Sequence, residues 1–127
     1  MVRTYSVIAE PVFAAVAARA AIDVPGVARL EPGLFGLIGS LARSARGWVK
    51  GLDPAPVDGV RVAIDPTDDG PVVRIEVDIV LSGLDQAAAV ACAVQRAVAR
   101  AVAAATGCPP AEVSVSILDI DRTDVPA

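Results

Sequence analysis

Apolar positions along the chain repeat with two different periods. Between Glu10 and Asp23, the residues Val12, Phe13, Val16, Ala17 and Ala20, with Val24 just beyond, recur at helical spacing. Pro11 suits a first helical turn, where its missing N–H costs nothing. Pro25-Gly26 then halts the helix, and Val27 to Leu30 reads as a short strand. Tyr5 to Ile8 forms a short β-like lead-in. From Val60 to Ile64 and again from Val72 to Leu81 the period is two. Val73, Ile75, Val77, Ile79 and Leu81 point one way, and Arg74, Glu76 and Asp78 the other, as on a sheet with a solvated face. Asp65 to Pro71 is read as the turn between these strands, so they should be antiparallel. The helical period returns from about Leu84 to Thr106, where Val90, Val94, Val98 and Val102 form a stripe. Gly107 caps that helix, Pro109-Pro110 prevents its continuation, and Val113, Val115 and Ile117 make a last strand with Ser114 and Ser116 outward.

This order predicts an α+β fold, α-β-β-β-α-β, with two helices on one face of a small mixed sheet and a long Gly-rich loop after the first strand. The long strand, long helix and final strand form a βαβ unit with parallel strands. At 127 residues the chain is read as a single domain, 1–127, with an acidic tail over 119–127.

Residues 31–57 break the pattern. Pro32, Gly33, Gly36, Gly39, Gly47, Gly51, Pro54 and Pro56 argue for a long loop, mobile or amphipathic in character. Within it, Leu34, Ile38, Leu41, Ala45, Trp48, Val49 and Leu52 share a helical face. Gly36, Gly39, Arg43, Arg46, Gly47 and Lys50 lie opposite. Three readings stand: a loop folded back on the core, a membrane-interface segment, or a docking element for a partner protein. In the second, Phe35 and Trp48 dip into the interface while Arg43, Arg46 and Lys50 meet lipid phosphates. The glycines each lower helix propensity by up to about 1 kcal/mol, so a helix there would form only when bound.

Composition narrows the chemistry. The chain has no histidine, the commonest general base and metal ligand. Cys92 and Cys108 lack zinc-type spacing and are expected to be buried or half-buried thiols in a reducing compartment. Asp65, Asp68 and Asp69 lack the ligand pattern of a calcium loop and fit a solvated turn. With no nucleophile pair and no phosphate loop, the expectation is no enzyme, no cofactor and no metal. The net charge of −4 disfavours nucleic acid. Residues 32–52 nevertheless carry Arg43, Arg46 and Lys50 and no acid. Mean hydropathy is high at +0.58. Charges interrupt every long apolar stretch, so no transmembrane span is expected. Glu10, Pro11 and Arg19 similarly interrupt what would otherwise mimic a secretory leader.

Several short signatures recur in one order. They are Ala21 to Val27 ending in Val-Pro-Gly-Val, Gly59-Val60, Ser82-Gly83, Val94-Gln95, Thr106-Gly107 and Val113 to Ile117. From about Ser6 to Ile120 this series resembles the alkaline-shock-protein family of small bacterial envelope-stress proteins. Tyr5-Ser6-Val7-Ile8 replaces the family's usual Gly and alternating-Ile opening, and the Leu34 to Leu52 segment is longer than the family pattern. The resemblance implies a non-enzymatic, cytoplasmic protein acting in the envelope stress response, peripheral at the inner face of the cell membrane. It implies a membrane-anchored partner protein; the basic segment adds an anionic membrane surface as an expected partner, and the open edges of the sheet add strand pairing with a partner or a second copy, as a homo-oligomer. Candidate contacts are Leu34, Phe35, Ile38, Leu41, Arg43, Arg46, Trp48 and Lys50. Gln95 is either a partner contact or a polar group bonded to nearby backbone. The alternative function is a small cytosolic regulatory or ligand-binding module.

Overall fold

A computed structural model describes residues 10–33, 59–83 and 86–121. The elements are α1 (Glu10–Ile22), β1 (Val27–Leu30), β2 (Val60–Thr67), β3 (Gly70–Leu81), α2 (Ala87–Thr106) and β4 (Glu112–Ile120). This is the expected α+β order. The Gly-rich loop, the Tyr5 to Ile8 lead-in and the end of the acidic tail lie outside the described residues.

β3 is the spine of a mixed sheet. Along one edge it pairs in parallel with β4, from Arg74↔Glu112 to Leu81↔Ile120. Both other strands pair with it antiparallel, β2 over Gly70 to Val77 and β1 over Ile79 to Leu81. Because β4 occupies one edge across both stretches, β1 and β2 must share the other. They are two halves of one split strand, meeting at the Asp78 rung. The parallel β3–α2–β4 unit expected from the sequence is present.

The hairpin is tighter than the sequence suggests. Thr67 pairs with Gly70, leaving only Asp68 and Asp69 at the turn. Pro66 and Pro71 face each other inside the ladder. They fit because ladder hydrogen bonds fall on alternate rungs, counted from the Asp78 N–H that donates to Gly59 O at 2.8 Å. At the Pro66–Pro71 rung no cross-strand N–H is required.

One face of the sheet carries the core. Val60, Val73, Ile75, Val77, Ile79 and Leu81 lie buried with Phe13, Ala14, Ala17, Ala18 and Ala21 of α1 and Val94, Val98 and Val102 of α2. The valine stripe of α2 is as predicted, with Val90 at its half-buried end. The buried face of α1 is rotated from the expected one: Ala14, Ala18 and Ala21 face inward, and Val12 is 48% exposed. A helix apolar nearly all round offers no periodicity to choose its face. Apart from Phe13, alanines take most of the contact, and α1 can then pack closely on α2 and the sheet.

Gly26 shows how tight the contact is. Its φ is +100°, and a Cβ there would sit 2.7 Å from Val90 Cγ2. Gly107, at φ 72°, closes α2 by donating its N–H to Ala103 O at 2.9 Å. Two expectations fail. Cys92 is exposed on the outer side of α2, while Cys108 is half-buried. Ile117, expected in the core, is 39% exposed, although its partner across the β3–β4 ladder, Ile79, is fully buried.

By length and composition α2 could cross a membrane. In this fold it lies on the sheet through its valine stripe.

Candidate functional site

The polar face of the sheet carries cross-strand charges. Arg74 donates to Asp65 at 3.0 Å and approaches Glu112 at 3.9 Å, and all three are exposed. Such pairs are worth little individually. Asp65 is thus engaged beside the hairpin, and among the described residues no group of three His, Cys, Asp or Glu side chains could hold a metal ion.

Asp78 departs from this pattern. The alternation places it on the solvated row with Arg74 and Glu76, yet its side chain is only 2% exposed. Arg61 of β2 covers it, giving Nη1 to Oδ2 at 2.6 Å and Nη2 to Oδ1 at 3.3 Å. The same guanidinium reaches Glu76 at 2.7 Å. Gly33 donates its backbone N–H to Asp78 Oδ2 at 2.9 Å. A Cβ on Gly33 would lie 3.1 Å from that oxygen and 3.3 Å from Leu118 Cδ2, so the chain passes directly over the carboxylate. The Asp78 hydrogen bond, opposed by burial and aided by Glu76, raises the Arg61 pKa above its ordinary value.

The backbone of Asp78 completes the arrangement. Its carbonyl accepts from Glu31 N–H at 3.3 Å, and its own N–H donates to Gly59 O. One residue therefore holds the chain where it leaves β1 and where it returns to β2. The two stems touch there: a Cβ on Gly59 would lie 2.9 Å from Leu30 Cβ and 3.1 Å from Glu31 N. Gly59 takes φ +86°, a conformation few other residues adopt. Beside this neck, Arg29 donates to Glu31 at 2.6 Å and to Asp121 at 3.1 Å, spanning β3 from β1 to the end of β4. Hydrogen bonds with these carboxylates, Glu31 first, raise the Arg29 pKa.

A shallow depression of about 190 Å³ on the same face is lined by residues including Arg61, Arg74, Glu76, Glu112 and Ser114. Both arginines are already paired with carboxylates. The depression therefore offers an anionic ligand no uncommitted cation.

Of the residues nominated from the sequence, Leu34, Phe35, Ile38, Leu41, Arg43, Arg46, Trp48 and Lys50 lie outside the described residues. Gln95 lies on α2 and donates Nε2 to Val113 O at 3.1 Å, bracing the helix against β4. The sequence reading missed the Asp78, Arg61 and Gly33 cluster. A signal was available in Val77-Asp78-Ile79-Val80-Leu81, where an apolar Val80 falls on the nominally wet side. Val80 is fully buried, so that face is covered at this end of the sheet.

Comparison with known families gives a match over residues 3–122 to the model of the Asp23 family, described as having a cell envelope-related function. The family's name does not refer to residue 23. This match agrees with the alkaline-shock signatures. No curated protein and no solved structure matches.

Proposed function

Since the chain belongs to the Asp23 family, whose function is cell envelope-related, we propose that it supports envelope homeostasis under stress without catalysis, through contacts at the cytoplasmic side of the membrane. The contacting element is the segment from Leu34 to Lys50. The observation that supports this reading is the neck at Asp78, where Glu31 and Gly59 meet on a single rung. A segment held at touching stems can engage a surface without unravelling the sheet.

Phe35, Trp48 and the leucines supply the apolar contact, and Arg43, Arg46 and Lys50 meet anionic headgroups. Three basic groups add about 1 kcal/mol each near such a surface, so the apolar side chains provide most of the binding. A membrane-anchored protein presenting an acidic, apolar surface would satisfy the same chemistry.

Flotation with anionic and neutral vesicles, beside a variant lacking Leu34 to Lys50, tests the reading. Binding to anionic vesicles that disappears in the variant supports direct lipid contact. Failure of both forms to float refutes lipid contact and leaves a partner protein as the route to the envelope.

A further inference from the structure

A buried carboxylate in a sheet whose other buried residues are valine, isoleucine and leucine requires a reason. Burying an ion pair costs desolvation that its mutual attraction offsets only in part, and apolar pairs of similar volume commonly serve stability as well or better. Val80, two residues on and on the same side, shows that this end of the face accepts an aliphatic side chain. What an aliphatic pair could not supply is directionality. Asp78 donates its N–H to Gly59, accepts at its carbonyl from Glu31, and accepts at its carboxylate from Gly33 at Oδ2 and from Arg61 at both oxygens.

The split strand needs such a device. β1 has only four residues and its pairing with β3 already shifts between Val27 and Arg29, so β1 alone specifies its register weakly. β2 resumes pairing with β3 at the rung where β1 leaves it, after a long excursion. A one-residue slip of either half would turn its side chains to the wrong face. Arg61 is the second residue of β2, and Gly33 lies three residues beyond β1. Their bonds to one carboxylate tie both halves to the same rung.

We infer that Asp78, with Arg61, is a positioning pair: it sets the rung at which the chain leaves the sheet after Glu31 and rejoins it at Gly59, and it contributes little to global stability. This inference deepens the envelope-contact reading, because the pair would fix how the Leu34 to Lys50 segment is presented. It is decided without lipid.

The test is amide hydrogen exchange on the full chain, comparing wild type with the double variant Arg61→Met/Asp78→Val. The informative amides are Glu31 and residue 78, whose backbone acceptors the substitutions leave in place. The expected result is a melting temperature within a few degrees of wild type, with these two amides exchanging at least about ten-fold faster while amides of Val94 to Val102 keep their protection. Asp78→Asn, which retains an acceptor for Gly33, should fall between the two. Unchanged exchange at both amides would overturn the inference, since an apolar pair would then set the rung equally well. A large fall in melting temperature would also overturn it, by making the pair a stability element. Flotation of the double variant is a separate reading. Loss of vesicle binding despite a native core would link the neck to the surface contact, whereas failure of wild type to bind would refute only the lipid reading.

Discussion

Removing Leu34 to Lys50 should stabilise the protein. The stems touch at the Glu31–Gly59 neck, so the native fold holds the ends of residues 32–58 together whatever the intervening length. The cost of closing a flexible loop grows as the logarithm of its length, about 0.6 kcal/mol per doubling. The deletion shortens the connection from roughly 27 residues to roughly ten, about one and a half doublings, so closure becomes easier by about 1 kcal/mol. Ten residues can span far more than a neck in van der Waals contact. For a domain of this size that gain raises the melting temperature by roughly 3–5 °C. Urea denaturation at pH 7 would show a higher midpoint with an unchanged slope, because the core buried between the sheet and the two helices is the same. A loss of more than about 1 kcal/mol, or a smaller slope, would refute the reasoning: residues 34–50 would then be part of the cooperatively folded core. The same variant serves the flotation experiment, so a loss of vesicle binding could not be ascribed to misfolding.

Other substitutions test particular contacts. Val98→Ala removes two methyl groups from a fully buried position between α2 and the sheet, and should cost about 2 kcal/mol in denaturant unfolding. Gly26→Ala forces an alanine into φ +100° and against Val90, and should lower stability by about 1–3 kcal/mol in the same assay. Arg61 has a raised pKa, so its contribution is fully present below the unfolded value and is lost only as pH rises through the still higher folded one. Wild type should therefore show no Arg61-dependent loss of stability between pH 7 and 11, whereas Arg61→Lys should introduce a loss above about pH 10.4, the ordinary lysine value. Thiol labelling of the native protein should modify exposed Cys92 well before half-buried Cys108.

The element order, the hairpin, the β3–α2–β4 unit and the valine stripe were all legible in the sequence, because each rests on a local period or a turn residue. The buried face of α1 was not, since an alanine-rich helix carries almost no contrast between its sides. The short turn at Asp68 and Asp69 was hidden by Pro66 and Pro71. Two prolines read as a loop until the ladder shows that both fall on a rung needing no cross-strand N–H. The burial of Asp78 was hidden for another reason. Its partners, Gly33 and Arg61, lie 45 and 17 residues away, and no periodic pattern reports a contact at such separations.

The split strand also explains why the excursion can exist. An insertion in the middle of an ordinary strand would leave unpaired backbone groups on the spine at the point of departure. Here none arises at the neck, because Asp78 N–H and C=O are taken by the returning and departing stems. Gly59 is what permits this. With φ +86° and no side chain, it lets β2 restart against Leu30 and Glu31 within the distance a Cβ would occupy. Any residue larger than glycine at 59 would separate the stems, and the Asp78 rung could no longer serve both. The sheet is therefore built to tolerate variation in length and composition between residues 33 and 59 while its own geometry stays fixed. A protein whose contacts lie in that segment could change what it touches without changing how it folds.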